Sequence, residues 1–143
     1  MRSHFLVFTL AAAVAATASA QPAAKSAPMI TIPAGIAGTW EGKSMTGPKD
    51  SVIATYSNVV TADTKGWTTK LSGRDLMPVR VLAAGGDSVV TETGPYNSIL
   101  RPGQQVTTRQ TTHFKGDAST GTFEAKFANG DVVKGKSSGK RKK

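Results

Sequence analysis

The stretch Thr122-Phe123-Glu124-Ala125-Lys126-Phe127-Ala128-Asn129-Gly130-Asp131-Val132-Val133-Lys134 decides the fold. Phe123, Ala125 and Phe127 share one parity, and Glu124 and Lys126 share the other. Successive side chains of a strand point to opposite faces, so this is a half-buried strand with its apolar face inward. Asn129-Gly130 follows, and a second run of β-forming residues begins at Asp131. Asn and Gly both tolerate positive φ, so the pair predicts a type I′ hairpin between two antiparallel strands.

The same period runs back through the chain. Ile36, Gly38, Trp40 and Gly42 alternate with Thr39, Glu41 and Lys43, which points Trp40 inward. Residues 52–61, 66–72, 78–83, 87–93 and 106–115 continue the series. Turn chemistry separates them, as in Gly47-Pro48-Lys49-Asp50, Asp63-Thr64-Lys65-Gly66, Gly85-Gly86-Asp87 and Pro102-Gly103. No stretch keeps a helical period. The reading is an all-β chain of about eight strands in an antiparallel meander, closed as a small barrel because closure removes exposed edges. A two-sheet β-sandwich is the alternative. A barrel this small should be largely filled, by Trp40, Tyr56, Trp67, Phe114, Phe123 and Phe127.

Four regions follow. Residues 1–20 read as a cleavable export signal: Arg2 opens it, an apolar run follows, and Ala18-Ser19-Ala20 is a small-x-small cleavage pattern before Gln21. Residues 21–34 are an Ala/Pro/Ser leader, 35–137 the barrel domain and 138–143 a basic tail. The expected product is a soluble periplasmic or extracellular protein. The 143 residues include 18 basic and 9 acidic side chains and no cysteine, so no disulfide staples the fold. Lys134, Lys136, Lys140, Arg141, Lys142 and Lys143 close the chain without an acid among them, so the basic excess is concentrated at that end.

The opening Ile36-Ala37-Gly38-Thr39-Trp40, a Gly-x-Trp at the start of the first strand of an eight-stranded meander, resembles the first strand of calycin-type barrels such as lipocalins and avidins. The resemblance implies a secreted barrel that binds a small apolar ligand at one open end. It covers one strand and the strand count, and it carries over no binding residues.

Catalytic chemistry is sparse. His113 is the sole imidazole beyond the export signal, on the polar parity with Arg109, Thr111 and Lys115, and there is no thiolate to join it at a metal. No Gly-x-Ser-x-Gly elbow occurs. Asp63, Asp87, Asp117 and Asp131 fall in turns, where carboxylates usually bond nearby amides. Glu41, Glu92 and Glu124 read as surface charges on strands. No enzyme activity, metal or cofactor is expected.

Two loops are less routine. Residues 72–78 hold an Arg-Asp pair, and 93–101 form a long connection containing Tyr96. Binding groups concentrate in loops at barrel mouths, so Arg74, Tyr96, Asn97 and Arg101 are the candidate ligand contacts, as donors and a stacking surface. Lys140, Arg141, Lys142 and Lys143 are candidate contacts for a polyanion such as anionic lipid or an acidic polymer, held through counterion release. The tail lacks aromatics for base stacking, so sequence-specific nucleic-acid binding is not expected. The leading expectation is a non-enzymatic exported barrel that binds a small ligand or an envelope component through its end loops; the alternative is polyanion association through the tail.

Overall fold

The computed structural model describes residues 29–143, so the expected export signal and the expected leader up to residue 28 lie outside the described residues. Eight strands follow in order: β1 (Gly38–Thr46), β2 (Ser51–Val60), β3 (Thr68–Leu71), β4 (Leu76–Gly85), β5 (Ser88–Asn97), β6 (Gln105–Lys115), β7 (Ala118–Phe127) and β8 (Val132–Arg141). Each pairs antiparallel with the next, and β8 returns to pair with β1, closing the barrel. The single closed sheet rules out the sandwich.

Period-two patterning sets the faces. On β7 Phe123, Ala125 and Phe127 are buried and Glu124 and Lys126 exposed. Trp40 on β1 is only 2% exposed, donates its indole N–H to the Ile36 carbonyl at 2.9 Å, and meets Phe114 edge to face at 5.0 Å. It is a core plug. Near the start of β1, Ile32, Ile36, Trp40, Val60, Trp67 and Val89 form one apolar cluster; Val106, Phe123, Ala125 and Phe127 form a second. The first cluster seals what is here called the plugged end. The other, the loop end, carries the connections 47–50, 72–75, 98–104 and 128–131.

Four expectations are corrected. The β7–β8 turn runs from Phe127 to Gly130, whose N–H donates to the Phe127 carbonyl at 2.9 Å, and of the Asn-Gly pair only Gly130 has positive φ. Asn129 instead accepts the Asp131 amide at 3.0 Å, so the loop is longer than a two-residue type I′ turn. Second, β5 runs on to Asn97 across a register shift between Thr93 and Tyr96, with a cis Gly94–Pro95 bond, so half of the anticipated long connection is strand. Third, the leader joins the fold before residue 35: Ile32 is buried and Ile30 packs beside it, because two apolar side chains within reach of the Trp40 cluster gain more inside than in water. Fourth, β8 extends past Ser137 to Arg141, since each of its residues there finds a rung on β1 or β7.

On the outer wall Glu92 of β5 sits between Arg80 of β4 at 2.9 Å and Arg109 of β6 at 3.2 Å. The Arg80 hydrogen bond, helped by Arg109, holds its carboxyl below the usual carboxylate range. A folded pKa below the unfolded one contributes stability above the unfolded value, and loses it as pH falls through the folded value. Glu92→Gln should therefore be less stable than the parent near neutral pH. The gap, read as the difference in urea midpoints, should shrink steadily as pH drops below about 4; a gap independent of pH would show that the ion pairs contribute nothing.

Candidate functional site

Between the two apolar clusters the barrel interior is polar. Tyr56 and Asn58 of β2, Thr69 of β3, Thr93 of β5 and Gln110 of β6 meet there and border two adjoining cavities. Gln110 donates to Ser137 Oγ at 2.9 Å. Burial pushes the Tyr56 phenol above its ordinary pKa, against the smaller pull of side-chain hydrogen bonds with Gln110 and Ser137, so Tyr56 stays a neutral phenol at physiological pH. Asn58 Oδ1 is buried and has no hydrogen-bond partner among the described residues. Most buried carboxamides are paired, and leaving one without a partner costs about 1–3 kcal/mol.

The cavity toward the plugged end measures about 40 Å³ and the one toward the loop end about 90 Å³. One water needs only about 10–15 Å³ on this measure, so the larger space takes several waters or a short organic molecule. The expectation of a largely filled interior therefore holds at the plugged end and gives way toward the loops. From Asn58 the larger cavity passes Tyr96, Val106 and Phe127 and reaches Ile99 and Leu100 in the 98–104 connection. Those two side chains line it while remaining 36% and 43% exposed, so they stand at the boundary between cavity and solvent.

The candidate ligand contacts sit at this end, but only partly together. Arg74, Tyr96 and Asn97 border one shallow surface depression. Tyr96 alone also lines the cavity, where its hydroxyl is 2.9 Å from Thr108 Oγ1. Asn97 Oδ1 accepts from Gln105 at 2.7 Å on the outside. The two arginines are staples of the 98–104 connection. Arg74 donates to the Ser98 carbonyl at 3.3 Å, and Arg101 pairs with Asp131 at 2.6 Å while its guanidinium lies 4.4 Å from the Phe127 ring centroid. Within that connection Ser98 Oγ accepts the amides of Leu100 and Arg101, both at 3.1 Å, which fixes the tight bend that presents Ile99 and Leu100.

Of the turn acids, Asp63 accepts a nearby amide, from Lys65. Asp87, Asp117 and Asp131 are used across the fold, against His113, Arg141 and Arg101. His113 and Asp87 are exposed at the plugged end, away from the larger cavity. Among the described residues no three His, Cys, Asp or Glu side chains converge as a metal site would require, and no helix is long and apolar enough to cross a membrane.

Among the four basic residues at the C-terminus, two are engaged. Arg141 donates through Nε to Asp117 at 3.0 Å and through its fork to the carbonyls of Gly35 and Ala37, with its face 4.7 Å from the Trp40 ring centroid. Lys142 pairs with Glu41 at 3.3 Å. Lys140 and Lys143 are exposed and make no ion pair among the described residues.

The polar belt was the part of the site not anticipated. Its signal was in the sequence, since Gln110 shares a parity with Phe114, and Asn58 lies between Tyr56 and Val60 on the inward parity of β2. No protein-family model, curated protein or solved structure matches this chain.

Proposed function

We propose that the protein is a non-enzymatic, exported binding module that holds a small, largely apolar molecule inside the barrel, admitted past Ile99 and Leu100. The observation that carries this reading is the buried, unpartnered Oδ1 of Asn58, a residue that borders a cavity lined mainly by carbon. A site of this kind fixes orientation with one polar contact and gains affinity from apolar burial. The ligand carries one hydrogen-bonding group, a hydroxyl, carbonyl or amide, on a slim body, because the cavity falls well below the roughly 300–1,000 Å³ of sites for drug-sized molecules. The resemblance of Gly38-Thr39-Trp40 to calycin-type barrels supports the same direction.

Native mass spectrometry of the protein recovered from the cells that make it tests this directly. The expected result is a discrete extra mass that disappears on denaturation. Asn58→Leu should lose that mass and gain about 1–2 kcal/mol of stability, since it removes an unsatisfied polar group and fills space. A bare parent chain, or an Asn58→Leu protein carrying the same cargo, would overturn the reading.

A further inference from the structure

We infer that the outer wall carries a second binding site, a lysine-lined groove across β8, β1, β2 and β3 that takes a linear polyanion. The groove has a volume of about 810 Å³ and is bordered by Lys43, Lys70 and Lys140. The registers place these residues. Lys140 stands opposite Glu41, Glu41 opposite Ser57 and Ser57 opposite Lys70, while Lys43 lies one row away between Ser138 and Thr55. All side chains in these two rows take the outward parity, so three ammonium groups and three hydroxyls share one surface.

Pairing separates these lysines from their neighbours. On and after β8, Lys134, Lys136 and Lys142 each meet an acid, Glu124, Asp50 and Glu41 respectively. Lys43, Lys70 and Lys140 are exposed and enter no ion pair among the described residues. The one acid in the groove, Glu41, is held by Lys142 at 3.3 Å, which offsets its charge. Like charges gathered without counter-charges repel one another, and an anionic ligand relieves that repulsion.

The spacing favours a chain over a single anion. Lys140 and Lys70 stand three strand spacings apart, about 14 Å, so their anchors match anionic groups strung along a polymer. The concave groove also suits a flexible strand better than a flat bilayer. The shared chemistry is a run of phosphate-like groups, with the hydroxyls of Thr55, Ser57 and Ser138 as additional donors.

Fluorescence anisotropy with a short labelled linear polyphosphate tests the site on the whole processed chain. Binding should weaken as salt rises. The triple variant Lys43→Gln, Lys70→Gln, Lys140→Gln should bind at least about tenfold more weakly and lower the salt slope by about 2. A matched triple with the same charge loss, Lys126→Gln, Lys134→Gln, Lys136→Gln, should retain most of the affinity. All six positions are exposed, so both proteins should melt close to the parent. Equal losses in the two triples would reduce the effect to diffuse charge and overturn the site. Competition by inorganic phosphate at the same phosphorus concentration would overturn the chain-like ligand. Capture by anionic vesicles without polyphosphate binding would assign the surface to lipid instead.

Discussion

Gly121→Val should abolish or nearly abolish the folded state, and Gly121→Ala should come close to doing so. A Cβ built on Gly121 would lie 2.2 Å from the Thr111 carbonyl oxygen on β6 and 3.1 Å from Ser137 Oγ on β8. The first neighbour is backbone in a hydrogen-bonded rung, so relief requires moving a strand of a closed sheet. Overpacking commonly costs 1–3 kcal/mol, and a clash that side-chain repacking cannot relieve costs more, on the order of 3–5 kcal/mol. That is a large share of a domain's stability and corresponds to a melting point lower by roughly 15 °C or more. Gly85→Ala is the control. Nothing lies within 4 Å of its built Cβ, and its φ is not in the left-handed region, so the change should be neutral or slightly stabilising. Circular dichroism melts of the three variants decide the matter, and a Gly121→Ala protein that melts with the parent would refute the close approach.

Gly121 belongs to a device that the sequence displays without explaining. Gly42, Gly121, Gly135 and Gly139 all take the inward parity of β1, β7 and β8. Their missing side chains leave room for large ones: a Cβ on Gly42 would fall 2.5 Å from the Tyr56 ring, and one on Gly135 would fall 2.6 Å from Phe123. Period-two patterning was enough to find eight strands, their order and their faces, because each strand needs only its own residues to show which side is apolar. It placed Arg74, Tyr96, Asn97 and Arg101 in end loops, and of these Tyr96 lines the cavity. Three features depend on residues far apart in the chain, so local pattern could not supply them. The belt around Asn58 and Gln110 exists because closure brings β2, β3, β5 and β6 into one interior. Arg74 and Arg101 are staples because their partners, Ser98 and Asp131, arrive from other connections. Lys43, Lys70 and Lys140 become one surface because β8 closes against β1.

Arg141 is the case in which chain position and physical role diverge most, and its removal should have a large effect. By sequence it belongs to a solvated basic tail. In the fold it ties three segments at the plugged end: its fork accepts no proton donors but donates to the carbonyls of Gly35 and Ala37, its Nε donates to Asp117, and its backbone N–H donates to the Asp117 carbonyl at 2.8 Å. Its guanidinium also covers the Trp40 ring. Arg141→Ala should cost about 2–3 kcal/mol, from charged hydrogen bonds to carbonyls and the lost cation–π contact, lowering the melting point by roughly 10 °C. Arg141→Lys should recover less than half of that, because one ammonium cannot reach two carbonyls and a carboxylate in the fork's geometry. The loss should be local as well as global, with faster amide hydrogen exchange at Ile36 and Trp40 than at Phe123. A melting point within about 2 °C of the parent, with unchanged exchange at Trp40, would return Arg141 to the status of a surface charge. Deleting residues 139–143 should destabilise more than Arg141→Ala, because it also removes the Gly139 and Lys140 rungs with β1 and β7. Loss of polyanion retention after that deletion would therefore report an opened seam as readily as a missing binding group. Changing Lys143 alone to Gln leaves every one of those rungs and the Lys142–Glu41 pair in place, so it isolates the contribution of the chain end from that of the wall.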